Sequence, residues 1–375
     1  MTTSGMRVAV ILGTRPEIIK FSAIIRRLRK TGGDFFVIHT GQHYSPNLDK
    51  IFFKQLDLPL PKYNLNIRSK ASYRQGHHTG RMLIEIEKIL LKEQPTHVLV
   101  EGDTNTVLAG ALAASKISTT HTFTGYRYIL GHVEAGLRSY DRQMPEEINR
   151  FISDHLSDLL FAPTKKSEAI LLKEGVPKER VFVTGNTIVD AVFENLEIAR
   201  EKVNQELLFK QRDYILATLH RQENVDEARR LKEIIGGIHA VSLELKKDIL
   251  LPLHPRTEAK IKSFNIRLPE SIRVMEPVGF LEFLLLERSA ALILTDSGGV
   301  QEEASILKVP CVTMRTSTER PETIDVGANI LAGFKRKDIL RCAKTMIGRK
   351  RTWENPFGDG RAAESIIHIL SQHHP

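Results

Sequence analysis

Cysteine and long apolar runs are scarce in this chain of 375 residues, and each scarcity excludes a class of protein. The two cysteines, Cys311 and Cys342, have no spacing typical of a disulfide framework or a zinc site. No run approaches the roughly 20 apolar residues that span a bilayer, and the N-terminus lacks the basic and apolar regions of a signal peptide. We therefore predict a cytoplasmic protein with no membrane association.

Positive charge is in excess but is spread along the chain. The formal net charge is +9, from 54 Lys and Arg against 45 Asp and Glu. The densest basic runs, at 26–30 and 348–351, fall at predicted helix ends, where the helix dipole favours cations. Because these runs are short, we predict no nucleic-acid binding. An anionic small molecule is the partner that this charge favours.

Short apolar runs alternate with longer helical patterns in the first half of the chain. Ile18, Phe21, Ile25 and Leu28 have the three- and four-residue spacing of one helix face. Further helices are predicted at 81–93, 104–116, 145–159 and 165–174. Strands are predicted at Val8–Leu12, Phe35–His39, His97–Val100, a segment ending at Val133, Leu159–Ala162 and Val181–Thr184.

The second half repeats this alternation, which favours an α/β fold with parallel sheets. Strands are predicted at Tyr214–Thr218, Ile249–Leu253, Arg273–Glu276, Ala291–Thr295 and Pro310–Met314, and helices at 187–203, 226–244, 280–288, 300–307 and 337–347. We predict two doubly wound domains, at 1–185 and 186–354, and a segment at 355–375 whose helix packs back on the first domain.

In such sheets ligands bind outside the carboxyl ends of the strands, so the residues that follow each strand are the candidates. Arg15 and Lys20 follow the first strand at a helix start, where free N–H groups favour an anion. A helix start with exposed cations is the structural alternative. The segment has no GxGxxG pattern, so it does not support a nicotinamide or flavin cofactor.

Three carboxylates of the first half are candidates for acid–base chemistry. Asp103 lies between a strand and a helix, Glu134 follows an apolar segment, and Glu146 opens a helix. Each has a structural alternative, since Asp103 could cap its helix and Glu146 could pair with Arg150 at i,i+4. Carboxylates at separate strand ends could nevertheless surround one substrate.

The second half offers a cradle for phosphate and ribose. Ser297, Gly298 and Gly299 open a helix after a strand, with bare N–H groups suited to pyrophosphate, and Glu303 one turn later could bind ribose hydroxyls. His220 ends another strand, with a structural histidine as the alternative. Arg320 adds a cation. Together the halves predict a nucleotide-diphosphate ligand.

Eight segments in order resemble one family, the non-hydrolysing UDP-N-acetylglucosamine 2-epimerases. They run from residue 13 to 323 and read "GTRPEIIK", "GDTNT", "GHVEAGLRS", "PEEINR", "GNTIVDA", "LHRQEN", "DSGGVQEEA" and "ERPET". The resemblance implies a GT-B-like fold of two Rossmann-like domains, with the active site in the cleft between them. It also implies a homodimer that needs no metal and no other cofactor.

The resemblance implies reversible epimerisation of UDP-GlcNAc to UDP-ManNAc at C2. UDP is eliminated to give 2-acetamidoglucal and then adds back, with the proton returned to the other face. Two alternatives stay open. One is a 2-epimerase of a related sugar nucleotide such as UDP-2,3-diacetamido-2,3-dideoxyglucuronic acid, and the other is a hydrolysing enzyme that releases ManNAc and UDP.

The resemblance also assigns roles to residues of this chain. It implies catalysis by Asp103, Glu134, Glu146 and His220, the last also at the UDP phosphates with Arg15. The remaining substrate-binding residues that it implies are Lys20, Arg150, Val278, Phe283, Ser297, Gly298, Gly299, Glu303 and Arg320. A stretch at 118–130 is about ten residues longer than the family pattern, and we expect a peripheral loop there.

Overall fold

Two parallel sheets organise the chain. The structure is a computed structural model that describes residues 5–41, 46–67, 75–119, 125, 127–142, 144–203 and 213–375. It divides into two compact units, one of Met1–Ala191 with Phe357–Pro375 and the other of Val192–Pro356. The domain boundaries expected from the sequence, after 185 and 354, stay a prediction.

The first unit contains seven strands in the order β3-β2-β1-β4-β5-β6-β7, all parallel to their neighbours. Its strands are β1 Arg7–Leu12, β2 Asp34–His39, β3 Tyr63–Asn64, β4 His97–Glu101, β5 Ile129–Val133, β6 Leu159–Ala162 and β7 Val181–Val183. Its helices are α1 Arg15–Lys30, α2 Pro46–Gln55, α3 Gln75–Glu93, α4 Asn105–Thr119, α5 Pro145–Leu156 and α6 Lys165–Lys173, with a short 3-10 helix at Lys178–Arg180. Helix α7, Thr187–Lys202, begins in this unit and continues into the second.

The second unit contains six parallel strands in the order β10-β9-β8-β11-β12-β13. The strands are β8 Ile215–Ala217, β9 Ile249–Pro252, β10 Ile272–Met275, β11 Leu292–Thr295, β12 Cys311–Thr313 and β13 Asn329–Leu331. The helices are α8 Gln222–Val225, α9 Ala228–Leu245, α10 Pro255–Ser263, α11 Phe280–Ser289, α12 Gly298–Ile306, α13 Pro321–Asp325 and α14 Arg336–Ile347, and α15 Ala362–Gln372 returns to the first unit.

The prediction of parallel sheets is confirmed, and the central strands show why the sequence carries it. Every side chain from Val8 to Leu12 in β1 is 0% exposed, because helices cover both faces of such a sheet. The differences lie at element ends. Helix α3 begins at Gln75, whereas the sequence predicted a start at 81. The prediction missed the first turns because they contain two glycines and no apolar residue before Met82.

The C-terminal helix α15 packs on α1 within the first unit. The carboxylate of Asp190 accepts hydrogen bonds from the N–H groups of Ala362 and Ala363, at 3.2 and 2.9 Å, and thereby satisfies the first turn of α15. Arg27 of α1 forms an ion pair with Glu364. No helix within the described residues is both long enough and apolar enough to cross a membrane.

Candidate active site

In both sheets the strand order reverses at one point, and a ligand of such a fold binds outside the carboxyl ends of the strands there. In the first unit the reversal lies between β1 and β4, which lead to Lys20 and Asp103. In the second unit it lies between β8 and β11, which lead to His220 and Ser297. The topology therefore places these predicted residues where each unit can bind a ligand.

Glu134 lies at the end of β5 and is held by two donors. Its Oε2 accepts from Nζ of Lys20 at 2.5 Å, and its Oε1 accepts from Nδ2 of Asn186 at 2.9 Å. The backbone of Glu134 has φ +68°, a conformation that is uncommon outside glycine. Both side chains of the ion pair are largely buried. A strained, buried carboxylate with fixed donors is typical of a functional position.

Asp103 forms a two-point contact with Arg150. Its Oδ2 accepts from Nε and Nη2 of the guanidinium at 3.0 and 2.6 Å. The capping alternative for Asp103 is wrong, because α4 begins at Asn105 and the Thr104 hydroxyl accepts from the N–H of Thr106, at 3.1 Å. The carboxylate of Asp103 is thus directed to Arg150, and its side chain keeps 32% exposure.

The two neighbouring glutamates at the start of α5 have different roles. Glu147 closes the preceding turn, since its oxygens accept from the N–H groups of Ser139 and Tyr140 and from Arg150. Burial raises the pKa of Glu147, but these hydrogen bonds outweigh it and the net pKa is lowered. The structural alternative for Glu146, an i,i+4 pair with Arg150, is wrong, because Arg150 bonds Glu147 at i,i+3. Glu146 is half-buried.

A buried histidine joins the strand ends that lead to Asp103 and Glu134. Nδ1 of His132 lies 2.7 Å from Oδ1 of Asp154, and Nε2 lies 2.8 Å from the carbonyl oxygen of Gly102. Burial lowers the pKa of His132, but the charge of Asp154 outweighs it and the pKa is raised. A β-carbon on Gly102 would lie 3.8 Å from Oε2 of Glu134, so the two strand ends are close.

Sequence reasoning missed two buried glutamates beside these residues. Glu17 accepts from the N–H groups of Gly13 and Thr14 at 2.6 and 2.8 Å, and from the hydroxyl of Thr104. Burial raises the pKa of Glu17 to about 7, although these hydrogen bonds lower it. Glu101 ends β4 and is 1% exposed. A carboxylate three residues after a helix cap was the available signal for Glu17.

In the second unit Asp296 organises the loop that follows β8. It accepts from the N–H groups of His220 and Arg221, and from Nδ2 of Asn224, at 2.9 to 3.1 Å. The Nδ1 of His220 lies 3.1 Å from Asp296, and its side chain is 37% exposed. Burial raises the pKa of Asp296, but the hydrogen bond and charge of His220 help to lower it overall. The ring centroid of His220 lies 5.6 Å from that of His254.

The predicted cradle residues lie at the N-terminus of α12. Ser297 caps the helix, its hydroxyl accepting from the N–H of Val300 at 3.5 Å, and Gly299 is exposed. A β-carbon on Gly298 would lie 3.8 Å from Nη2 of Arg221, a residue that sequence reasoning did not select. The buried Nε of that guanidinium has no hydrogen-bond partner among the described residues. Free N–H groups beside a guanidinium favour a bound anion.

Glu303 and Arg320 are the other charged candidates of the second unit. Glu303 is 8% exposed and acts on Glu287, whose pKa is raised well above its ordinary value by burial and by the charge of Glu303. Nε of Arg320 lies 2.6 Å from Oε1 of the buried Glu302.

The remaining candidates are half-buried. Arg15 lies at the start of α1, with its guanidinium carbon 5.4 Å from the ring centroid of Phe52. Val278 precedes α11, and Phe283 lies in its first turn, with its N–H bonded to the carbonyl of Gly279 at 2.9 Å. Much of the long stretch at 118–130 lies outside the described residues.

The structure therefore equips the two units differently. The first brings together Lys20 with Glu134, and Asp103 with Arg150, so that each carboxylate lies beside its own cation. The second presents His220 and the N-terminus of α12 at its strand ends. The first arrangement can move a proton, and the second can bind a diphosphate.

Comparisons with known proteins identify the family. The family model of UDP-N-acetylglucosamine 2-epimerase matches residues 26–371. The UDP-N-acetylglucosamine 2-epimerase of Methanocaldococcus jannaschii is 54% identical over 374 residues, covering 98% of this chain and 99% of that protein. The UDP-2,3-diacetamido-2,3-dideoxy-D-glucuronate 2-epimerase of Pseudomonas aeruginosa is 40% identical over 372 residues, covering 98% and 100%.

A solved structure agrees with the sequence matches. The crystal structure of the Methanocaldococcus jannaschii protein in complex with UDP-GlcNAc and UDP has a TM-score of 0.86 to this chain, at 54% identity, and covers 98% of this chain and 100% of that one. The predicted α/β fold of GT-B-like type, with two Rossmann-like domains, is confirmed. The chain belongs to the UDP-N-acetylglucosamine 2-epimerase family.

Proposed function

We propose that this protein interconverts UDP-GlcNAc and UDP-ManNAc by inverting C2. The observation that carries the proposal is the pairing of Glu134 with Lys20 and of Asp103 with Arg150 at neighbouring strand ends. A relative of 54% identity bears the corresponding name. Two carboxylates, each fixed by a cation, meet the need for proton removal from one face of a sugar and return to the other.

The second unit is suited to hold the nucleotide. The N–H groups of Gly298 and Gly299 and the hydroxyl of Ser297 would bind the diphosphate, since a helix N-terminus favours negative charge. His220 and the nearby guanidinium of Arg221 would supply positive charge as UDP departs. The ribose hydroxyls would bind the carboxylate of Glu303.

The other binding assignments also remain part of the proposal. Val278 and Phe283 would contact uridine, while Arg15 and Arg320 would add charge around the phosphates. Glu146 is the third carboxylate proposed for proton transfer. All of these residues are half-buried, so each retains surface that a ligand can contact.

The proposed chemistry is an elimination followed by an addition. A carboxylate takes the C2 proton, the C2–H electrons form the C1–C2 double bond, and the C1–O bond breaks with its electrons leaving on UDP. The intermediate is 2-acetamidoglucal. UDP then adds back to C1, and a carboxylic acid delivers a proton to the opposite face of C2. Cations near the leaving diphosphate stabilise the charge that develops there.

A related sugar nucleotide is the second candidate substrate. A relative of 40% identity is named for UDP-2,3-diacetamido-2,3-dideoxy-D-glucuronate, and its match covers as much of this chain as the closer relative does. The charged sugar of that substrate would require a cation near C6. Comparison of turnover on the two sugar nucleotides decides between the candidates, and free ManNAc among the products would indicate the hydrolysing alternative.

The test is NMR of UDP-GlcNAc incubated with the protein in deuterated water. We expect UDP-ManNAc with deuterium at C2, because the removed proton exchanges with solvent on the carboxylate. Epimerised product that keeps its original C2 hydrogen would contradict the proton-transfer assignment. Bound UDP without any turnover on either sugar nucleotide would instead indicate a binding protein.

Single substitutions assign the carboxylates. We expect Asp103→Asn and Glu134→Gln to lose turnover by about 10²-fold or more while UDP affinity changes little, because the carboxylates act on the sugar. Glu93→Gln is a matched control, since Glu93 belongs to the same unit and pairs with Arg7. Equal loss of turnover and UDP affinity in the Asp103 variant would indicate a structural role.

We also propose a cytoplasmic homodimer, as the resemblance implies. Sedimentation equilibrium of the purified chain tests the assembly, with twice the mass of 42.4 kDa expected. A monomer at the concentration used for turnover would contradict it.

A further inference from the structure

Two carboxyl groups flank the ammonium group of Lys20 in the first unit, and the charge of a third acts on one of them. Nζ of Lys20 lies 2.5 Å from Oε2 of Glu134 and 3.3 Å from Oε1 of Glu101. Glu17 lies on the same helix as Lys20, one turn before it, and its charge acts on Glu101. The side chains of Glu101 and Glu134 are 2% and 4% exposed. The local charge would be −2 if all three carboxyls were ionised.

Such an excess of buried negative charge is unfavourable, so the cluster must carry protons. The donors around each carboxyl indicate which one does. Glu134 accepts from Lys20 and Asn186, and Glu17 accepts from two N–H groups and a hydroxyl. By contrast, Oε1 of Glu101 is buried, and its polar contact within the described residues is Lys20 alone, at 3.3 Å. Glu101 therefore has the weakest stabilisation of an anionic form.

We propose that Glu101 is a positioning residue whose carboxyl stays protonated beside Lys20, so that the ammonium group is engaged by Glu134. The inference rests on the proposed function, because it concerns the residue that exchanges a proton with the sugar. A neutral Glu101 fills the space behind Lys20 without competing for its charge. Once Glu101 ionises, the ammonium group of Lys20 is shared between two carboxylates, and its ion pair with Glu134 weakens.

The charges that act on Glu101 support this assignment. Burial raises its pKa well above the ordinary value of 4.5, Lys20 lowers it, and Glu134 and Glu17 raise it further. Lys20 and Glu17 belong to α1, and Glu134 directly follows β5. His132, also on β5, is directed to the carbonyl of Gly102 and to Asp154 rather than to Glu101.

Infrared spectroscopy tests the proton directly, without reference to turnover. The C=O stretch of a protonated carboxylic acid should be present in wild-type protein at neutral pH and reduced in Glu101→Gln. Glu93→Gln is the control and should leave the band unchanged, because hydrogen bonds from Lys62 and Tyr63 lower the pKa of Glu93 to about 2. A spectrum in which Glu101→Gln retains the full wild-type band would overturn the inference.

The pH dependence of kcat tests the positioning role. Glutamine is neutral at every pH, so Glu101→Gln should keep kcat within a few-fold of wild type at neutral pH and should lose less activity than wild type as pH rises. Identical alkaline limbs in the two proteins would overturn the role. Should Glu101→Gln fail to fold, Glu287→Gln protein enriched in carboxyl-¹³C glutamate must still show protonated glutamate at about pH 8, above the pKa of about 7 of Glu17, and its absence overturns the inference.

The two proposals fail in different ways. A wild-type protein that epimerises its substrate but shows no protonated glutamate removes only this inference. A protein with no turnover on any UDP-sugar removes the proposed function, and the positioning role of Glu101 with it.

Discussion

Glu17 provides a prediction whose sign and magnitude follow from its burial. Its pKa is raised from 4.5 to about 7, which corresponds to about 3 kcal/mol of linkage between protonation and folding. The folded state binds the proton more tightly than the unfolded state. The contribution is therefore fully present below about pH 4.5 and is lost as the pH rises through about 7.

Glu17→Gln should remove this dependence. A glutamine carbonyl can still accept from the N–H groups of Gly13 and Thr14, while its amide can donate to the hydroxyl of Thr104. Between about pH 5 and about pH 8 we expect the wild-type unfolding free energy of the first unit to fall by about 2.5 kcal/mol more than that of the variant.

Native-state hydrogen exchange of β1 is the assay, because its buried N–H groups open only when the first unit unfolds. Exchange rates are divided by intrinsic rates at each pH, so that only the opening free energy is compared. The control is Glu93→Gln. The pH dependence of its opening free energy should match that of wild type in this range, because the pKa of Glu93 is about 2. Parallel pH dependences in wild type and Glu17→Gln would refute the reasoning.

Substitutions at three further positions have defined outcomes. Gly136→Ala should destabilise the first unit by about 2 kcal/mol or more in urea unfolding. The reason is that Gly136 has φ +82° and that a β-carbon there would lie 2.5 Å from the carbonyl oxygen of Ser167. An unchanged unfolding midpoint would contradict this prediction. Arg150→Met should cost about 3–5 kcal/mol, because it leaves two carboxylates without their cation, and Arg150→Lys should cost less in the same assay. Ser297→Ala should weaken UDP binding roughly tenfold in calorimetry, while the far-ultraviolet circular dichroism spectrum stays unchanged. An unchanged affinity for UDP would show that the Ser297 hydroxyl does not bind the phosphates.

The strand ends were predictable because parallel sheets impose a simple rule. Apolar runs such as Val8–Leu12 mark central strands, and a ligand site lies where those strands end. Asp103, Glu134 and Ser297 could therefore be selected without coordinates. Short edge strands such as Tyr63–Asn64 were missed, because two residues give no period to detect.

The partners of these residues could not be predicted. Whether Asp103 caps a helix or pairs with Arg150 depends on the register between two distant elements, and both readings suit the sequence equally. Glu101 reads as the last residue of a strand, and its significance arises only because Lys20 lies 3.3 Å away, 81 positions earlier in the chain. Burial of charge depends on such long-range contacts, and residue patterns do not encode them.

The return of α15 to the first unit has a consequence for synthesis. The residues that complete this unit, 357–375, leave the ribosome after the whole second unit, which is continuous in the sequence. Until residues 357–375 emerge, the nascent first unit must therefore leave the α15-facing side of α1 exposed, and Asp190 lacks its two backbone donors. Chaperone contact during elongation should accordingly concentrate on that surface, and early termination just before 357 should leave the sheet present but its outer layer open.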